Sequence, residues 1–103
     1  MRLATLVAVS LLAFASCHAG PNPATATFTG FKQFWKCPDD NDVQKLGDKG
    51  SQDACLTACR AQPLAAGCWY LDGTGGFPRD CRICLTKQPV KETYGNDFAG
   101  AFE

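Results

Sequence analysis

The sequence predicts a small, disulfide-rich α+β domain in which one helix packs across an antiparallel β-sheet. Three observations lead to this class: six cysteines behind an apolar leader, one segment of helical composition, and several short aromatic or β-branched segments separated by glycine and proline. In a secreted chain such cysteines are kept as disulfides. The six are Cys37, Cys55, Cys59, Cys68, Cys81 and Cys84.

Residues 1–19 have the three parts of a secretory signal peptide. Arg2 is followed by an apolar run of about 13 residues, shorter than the roughly 20 that a membrane-spanning helix needs, and small residues precede a cut after Ala19. A cut after Ala15 is the alternative. We therefore expect a secreted, extracellular protein without a transmembrane segment.

Cys17 allows a second processing route. Residues 14–17, Phe-Ala-Ser-Cys, nearly match the lipoprotein box, in which the cysteine becomes the lipidated first residue. The usual aliphatic residue three positions earlier is Phe14 here, so the sequence favours the signal peptide over a lipid anchor. Either route leaves the same six cysteines for pairing.

Size and charge limit what the mature chain can do. Residues 20–103 suffice for one domain, but its core buries only about 60 to 65 per cent of the unfolded surface, so we expect reduction of the disulfides to unfold it. Nine basic and ten acidic residues, mixed along the chain, give no basic patch for nucleic acid. The single histidine, His18, lies in the leader. We expect no enzyme, no catalytic residue that depends on histidine, and no cofactor.

The N-terminal half is predicted element by element. Residues 20–26 carry two prolines and are expected to form a flexible, exposed arm, so that the single domain spans residues 27–103. Residues 27–36 mix aromatic and β-branched side chains and predict one strand with a bend at Gly30. Residues 39–50 are rich in aspartate and glycine and predict a solvated loop; their spacing does not fit a calcium-binding EF-hand.

Residues 51–62 predict the helix. Ser51 can cap its first turn, Asp53 lies at the positive end of the dipole, and Pro63 ends it. Cys55 and Cys59 are four residues apart, so both sulfurs leave one face of the helix, and this spacing disfavours a bond between them.

Two further strands, residues 67–72 and 80–86, are predicted to form a hairpin around a glycine-rich loop. A last short strand is expected within residues 94–102, which contain Phe98 and Phe102.

The segment from Ser51 to Thr86 resembles the centre of the PAN/apple family. The shared features are a capped helix with Cys-x-x-x-Cys, then Gly67 and Cys68 before an aromatic strand, and Cys81 at the start of the next strand. The resemblance implies the pairs Cys59–Cys68 and Cys55–Cys81, which leaves Cys37–Cys84 as the third. It also implies extracellular binding of proteins or carbohydrates, not catalysis.

Other uses of the cysteines are weaker alternatives. Cys81-x-x-Cys84 has redox spacing, but it lies on a predicted strand and not at a helix start, where the dipole would lower a thiol pKa. Zinc could be held by Cys55, Cys59, Cys81 and Cys84, yet a secreted protein oxidises such thiols. We therefore predict structural disulfides and no metal.

Ligand contacts are sought among exposed aromatic and loop residues. Trp35, Trp69 and Tyr70 could stack on sugar rings, with Trp69 and Tyr70 facing opposite ways on one strand, although a core this small should bury at least two of the three. Phe77 and Arg79 lie on the hairpin loop, where Arg79 could enter the acidic pocket of a trypsin-like protease. The leading hypothesis is a binding module for an extracellular protein or glycan; the alternative is a secreted effector, toxin or protease inhibitor.

Overall fold

The computed structural model describes residues 22–93 and 95–103; the predicted signal peptide and Cys17 lie outside them. Five strands form an antiparallel sheet in the order β1-β7-β4-β5-β3, and β2 and β6 form a separate two-stranded ribbon. The predicted α+β, disulfide-rich class is confirmed. The elements are β1 (Lys32–Gln33), β2 (Trp35–Lys36), β3 (Val43–Gly47), α1 (Gln52–Arg60), β4 (Gly67–Leu71), β5 (Asp80–Cys84), β6 (Val90–Lys91) and β7 (Asp97–Ala101).

The helix α1 forms where its local signals predict it. The Oγ atom of Ser51 accepts a hydrogen bond from the backbone N–H of Ala54 at 3.1 Å, which satisfies one of the free donors at the helix start. Regular helix ends at Arg60, two residues before the predicted end, and the chain turns into the segment that contains Pro63. Cys55 and Cys59, one helical turn apart, lie on the face of α1 that packs against the sheet.

One face of the sheet packs against α1. Cys68 and Tyr70 of β4 and Ile83 of β5 meet the two helix cysteines in a buried cluster that also includes Phe102. Antiparallel pairing of β4 with β5 confirms the predicted hairpin. An isolated helix of nine residues would not be stable in water, so α1 is held in place by this packing and by its two disulfides.

The disulfides join the pairs that the resemblance implied. The structure contains Cys55–Cys81, Cys59–Cys68 and Cys37–Cys84. The first two fasten α1 to β5 and β4, and the third fastens the segment after β2 to the end of β5. Because Cys81 and Cys84 belong to different disulfides, they do not form the redox pair that their spacing allowed.

The opposite face of the sheet is covered by the ribbon. Trp69 and Ala99 pack there with the Cys37–Cys84 disulfide, and Trp35 and Val43 border this second cluster. The domain therefore has two small cores, one on each side of a single sheet.

Two expectations about the N-terminal half were wrong. Residues 27–36 do not form one strand, because the chain turns at Phe34, which has φ of 69°, and so separates β1 from β2. Residues 39–50 are not all loop: a short 3-10 turn at residues 40–42 leads into β3. Hydrogen bonds from Thr86 and Lys87 to the carboxylate of Asp42 hold that turn beside the end of β5.

The predicted exposed arm is docked where the structure describes it. Residues 22–26 form a turn in which Pro23 is fully buried. Nη1 of Arg60 donates hydrogen bonds to the backbone carbonyls of Pro23 (3.0 Å) and Ala26 (2.8 Å). The end of α1 thus holds the start of the domain. Within residues 22–93 and 95–103, no helix is long and apolar enough to cross a membrane.

Candidate functional site

A groove of about 490 Å³ opens on the sheet face opposite α1. It lies between the β4–β5 loop and the connection from β6 to β7, beside the ribbon. Its walls bring together side chains from distant parts of the sequence, which the sheet order makes neighbours. Those used below are Lys36, Trp69, Asp72, Phe77, Arg82, Glu92, Asn96 and Asp97.

Trp69 forms the floor of the groove. Trp69 is only 4 per cent exposed, and two cations lie near its ring, with the guanidinium carbon of Arg82 4.8 Å and the Nζ atom of Lys36 5.8 Å from the ring centre. Cations placed over an indole face are attracted by its electron density. The ring therefore helps to hold both cations beside the groove.

Both of these cations already have acidic partners. Nε of Arg82 lies 2.8 Å from Oδ2 of Asp80, which is nearly buried, and Nζ of Lys36 lies 3.8 Å from Oε1 of Glu92. Their charges are therefore largely balanced within the protein. The remaining N–H groups of Arg82 can still donate hydrogen bonds to an occupant of the groove.

Two carboxylates of the groove, Asp72 and Asp97, form no ion pair in the described part of the chain, and of these Asp72 accepts hydrogen bonds from Thr74. The partial burial of Asp97 raises its pKa, and the nearby Glu92 adds to this, while Lys36, Arg82 and Trp69 oppose the rise. A carboxylate kept half-buried without a salt bridge costs stability, as is common in binding and catalytic sites.

The indole N–H of Trp69 lies next to this carboxylate. Nε1 is screened from solvent and has no hydrogen-bond partner among the described residues, and its contact with Asp97 falls short of a hydrogen bond. An orphaned buried donor is unusual in a folded protein. Because this N–H favours the ionised form of Asp97, Trp69 can help to position that carboxylate at the groove.

Phe77 supplies the exposed aromatic surface of the groove. It lies on the hairpin loop and is 66 per cent exposed. At the base of the same loop, the side chain of Asp72 accepts hydrogen bonds from Oγ1 (2.7 Å) and the backbone N–H (2.9 Å) of Thr74, which lower the pKa of Asp72. These bonds fix the start of the loop that carries Phe77.

The predicted contact residues separate into two groups. Trp69 and Phe77 line the groove, whereas Tyr70 and Arg79 do not. Tyr70 is only 7 per cent exposed and packs on the α1 side against Phe31, so it offers no ring face to a sugar. Trp35 is half-buried at the border of the second core, with Nζ of Lys32 5.0 Å from its ring centre.

Arg79, the residue expected to enter a protease pocket, is held by the protein itself. Its Nε and Nη2 atoms donate to the two carboxylate oxygens of Asp48 at 2.7 and 3.1 Å. The hydrogen bonds from Arg79 also lower the pKa of Asp48. Arg79 would have to leave this paired arrangement to enter another protein's pocket.

Lys36, Arg82, Asn96 and Asp97 were not recognised from the sequence. Alternation along β5 and β7 puts Arg82 and Asp97 on the same face as Trp69 once the strand order is known. No local motif marks them, because each comes from a different strand or connection.

Comparisons with known proteins give no relative. No family model, no curated protein and no solved structure matches this chain. The PAN/apple resemblance therefore remains an expectation from the cysteine spacing and the helix–strand order.

Proposed function

We propose that this protein is a secreted, non-catalytic binding module that holds a neutral carbohydrate in the groove beside Trp69. The observation that carries the proposal is that the half-buried carboxylate of Asp97, which forms no ion pair among the described residues, lines the same groove as the exposed ring of Phe77. A carboxylate kept at a cost to stability and an aromatic ring left in solvent both gain when a ligand covers them.

The polar groups of the groove favour hydroxyls as their partners. Asp97 accepts hydrogen bonds only, Arg82 donates only, and the amide of Asn96 does both. A sugar hydroxyl can donate to one of these groups and accept from another. The apolar face of a pyranose ring would pack on Phe77, as sugar rings do on exposed aromatic side chains.

The charge of the groove disfavours an acidic glycan. Three carboxylates, those of Asp72, Glu92 and Asp97, line it, and its two cations are already paired. A sulfate or uronate would be repelled by Asp97, which forms no ion pair among the described residues. The ligand class best supported is therefore a neutral glycan.

A protein ligand and the inhibitor alternative receive less support. A peptide could donate to Asp97, but it would need several separate groups to do what adjacent hydroxyls do together. The inhibitor hypothesis depends on Arg79, whose guanidinium group is held by both oxygens of Asp48.

The test is an array of neutral, sulfated and uronate-containing glycans probed with the mature, oxidised protein. We expect neutral glycans to bind, and Phe77→Ala to weaken that binding at least tenfold, which corresponds to about 1.4 kcal/mol. Leu64→Ala is the matched control, because Leu64 is 59 per cent exposed and lies outside the groove. It should bind like the wild type.

Two results would contradict the proposal: binding restricted to acidic glycans, or neutral-glycan binding that Phe77→Ala leaves intact. A silent array would also reject it and would direct the search to protein ligands. Loss of trypsin inhibition in Arg79→Ala would instead favour the inhibitor hypothesis.

A further inference from the structure

Two disulfides beneath α1 form a compact group of four sulfur atoms. The Sγ atoms of Cys55, Cys59, Cys68 and Cys81 all lie within 4.8 Å of one another, and all four residues are fully buried. Between the disulfides, Cys55 Sγ lies 3.6 Å from Cys68 Sγ, and Cys59 Sγ lies 3.9 Å from Cys81 Sγ. We call these four atoms the sulfur cluster.

The four cysteines of the sulfur cluster come from three secondary-structure elements, α1, β4 and β5. Cys55 and Cys59 lie one helical turn apart on the same face of α1, while Cys68 and Cys81 lie on the adjacent strands β4 and β5. The registers Cys68↔Ile83 and Tyr70↔Cys81 set the two strand cysteines two positions apart across the hairpin. All four side chains therefore converge from separate elements on one point.

The spacing of the cluster fits a tetrahedral metal. Zinc binds thiolates at about 2.3 Å, which places the sulfurs of a tetrahedral site roughly 3.8 Å apart. The two contacts between the disulfides already have this length. Reduction frees the bonded pairs to separate to the same spacing by rotation of their side chains.

We propose that the reduced chain binds one zinc ion through Cys55, Cys59, Cys68 and Cys81, and that this ion replaces the two disulfides of α1. Each disulfide accepts two electrons from the reductant and two protons from water to give two thiols. Zinc then binds the four sulfurs as thiolates, and their four protons are released to solvent. With a phosphine as reductant, the phosphine becomes the oxide and water supplies its oxygen.

The ligand set differs from the one that sequence spacing offers. Cys84 belongs to the opposite face of the sheet, bonded to Cys37, so it cannot reach this point. Cys68 takes its place. Burial of all four ligands leaves no open coordination position, which is typical of a structural and not a catalytic zinc site.

The same fold could then be stabilised either by disulfides or by bound zinc. Disulfides would fix α1 to the sheet under oxidising conditions, and zinc would fix it at the same four residues under reducing ones. Metal binding would then be coupled to folding, because the reduced chain without metal lacks both.

The experiment begins with mature protein unfolded and fully reduced by tris(2-carboxyethyl)phosphine. The chain is refolded by dilution with and without one equivalent of Co²⁺, which reports tetrahedral thiolate coordination by its strong visible absorption, and Zn²⁺ is then added. We expect the tetrahedral cobalt spectrum at one equivalent, its loss as zinc displaces cobalt, and helical circular dichroism only with metal.

Variants identify the ligands. A Cys37→Ser/Cys84→Ser double variant should keep the cobalt spectrum, whereas Cys68→Ser should weaken cobalt binding at least tenfold. As a measurement that does not depend on folding of the variant, alkylation of the wild type followed by mass spectrometry should show four thiols protected by one equivalent of zinc, with Cys37 and Cys84 modified.

The proposal is overturned if cobalt gives no tetrahedral spectrum, or if zinc protects none of the thiols from alkylation. It is equally overturned if Cys37→Ser/Cys84→Ser loses the cobalt spectrum, because the ligand set would then include the opposite face of the sheet.

Discussion

Arg82 lies over the ring of Trp69, with its guanidinium carbon 4.8 Å from the ring centre, and the two residues are direct partners in the pairing of β4 with β5. The same guanidinium group binds the nearly buried carboxylate of Asp80 through Nε at 2.8 Å. Arg82 thus links Trp69 to the carboxylate of Asp80, whose other hydrogen bond comes from the backbone N–H of Cys81.

Replacing Arg82 by Ala should lower the free energy of unfolding by about 2 to 3 kcal/mol, because Asp80 loses its partner while still buried and one face of Trp69 is uncovered. Urea unfolding of the oxidised protein measures this. Lys45→Ala is the matched control, since Lys45 pairs with Arg82 across β3 and β5 but is exposed, and it should change stability by less than about 0.5 kcal/mol. Equal losses in the two variants would show that Arg82 has no special role.

Trp69→Phe should separate stability from binding. It removes the orphaned indole N–H, whose burial costs about 1 to 3 kcal/mol, but also leaves a gap, so the net change in unfolding free energy should stay within about 1 kcal/mol. Binding of a neutral glycan should fall several-fold, because Asp97 loses the donor beside it, and the pKa of Asp97 should rise further. Calorimetric titration at several pH values checks both effects; unchanged binding with an unchanged pH profile would mean that Trp69 only fills space.

Gly100→Ala should be among the most damaging small substitutions. A Cβ atom there would come within 2.6 Å of Cζ of Phe28 and would also overlap the carbonyl oxygen of Gly30. Overpacking of this kind costs about 1 to 3 kcal/mol, and we expect the upper end because backbone is involved. Ala101→Gly, on the same strand, tests the alternative that any change in β7 is costly; it should lose only about 0.5 to 1 kcal/mol in urea unfolding.

Local signals in the sequence were sufficient for some elements and not for others. Ser51 marks the start of α1, and Pro63 limits its length, although regular helix already ends at Arg60; both signals are local because they depend on neighbouring residues only. The strand β3 was missed because its pattern is irregular: Val43 and Leu46 are its half-buried residues, and a bulge near Lys45 breaks the alternation that would reveal it. It forms because its backbone pairs with β5, which no local pattern shows.

The groove was only partly predictable for a related reason. Alternation correctly puts Trp69 and Tyr70 on opposite faces of β4. It could not show that α1 covers one face and the ribbon the other, so that both rings are buried. Arg82 and Asp97 meet Trp69 through strand order, which depends on pairings between distant segments.

Asp97→Asn should make the oxidised protein more stable at neutral pH and less able to bind. Burial raises the pKa of Asp97 above its ordinary value of 3.8, so ionisation favours the unfolded chain at pH values above the folded pKa. This cost disappears as the pH falls well below 3.8, where the group is protonated in both states. The variant should therefore exceed the wild type in melting temperature at pH 7, and the difference should vanish in acid.

Asp72→Asn gives the matched comparison, because Asp72 lines the same groove but its pKa is lowered by hydrogen bonds from Thr74. Its ionised form stabilises the fold above pH 3.8, and that contribution is lost as the pH falls through the lower folded pKa. Asp72→Asn should thus be no more stable than the wild type at pH 7, the opposite sign to Asp97→Asn. If both variants gain stability at neutral pH, general relief of negative charge is the cause. If only Asp97→Asn gains, while its affinity for a neutral glycan falls about tenfold through loss of a charge-assisted hydrogen bond, the unpaired carboxylate is kept for the ligand.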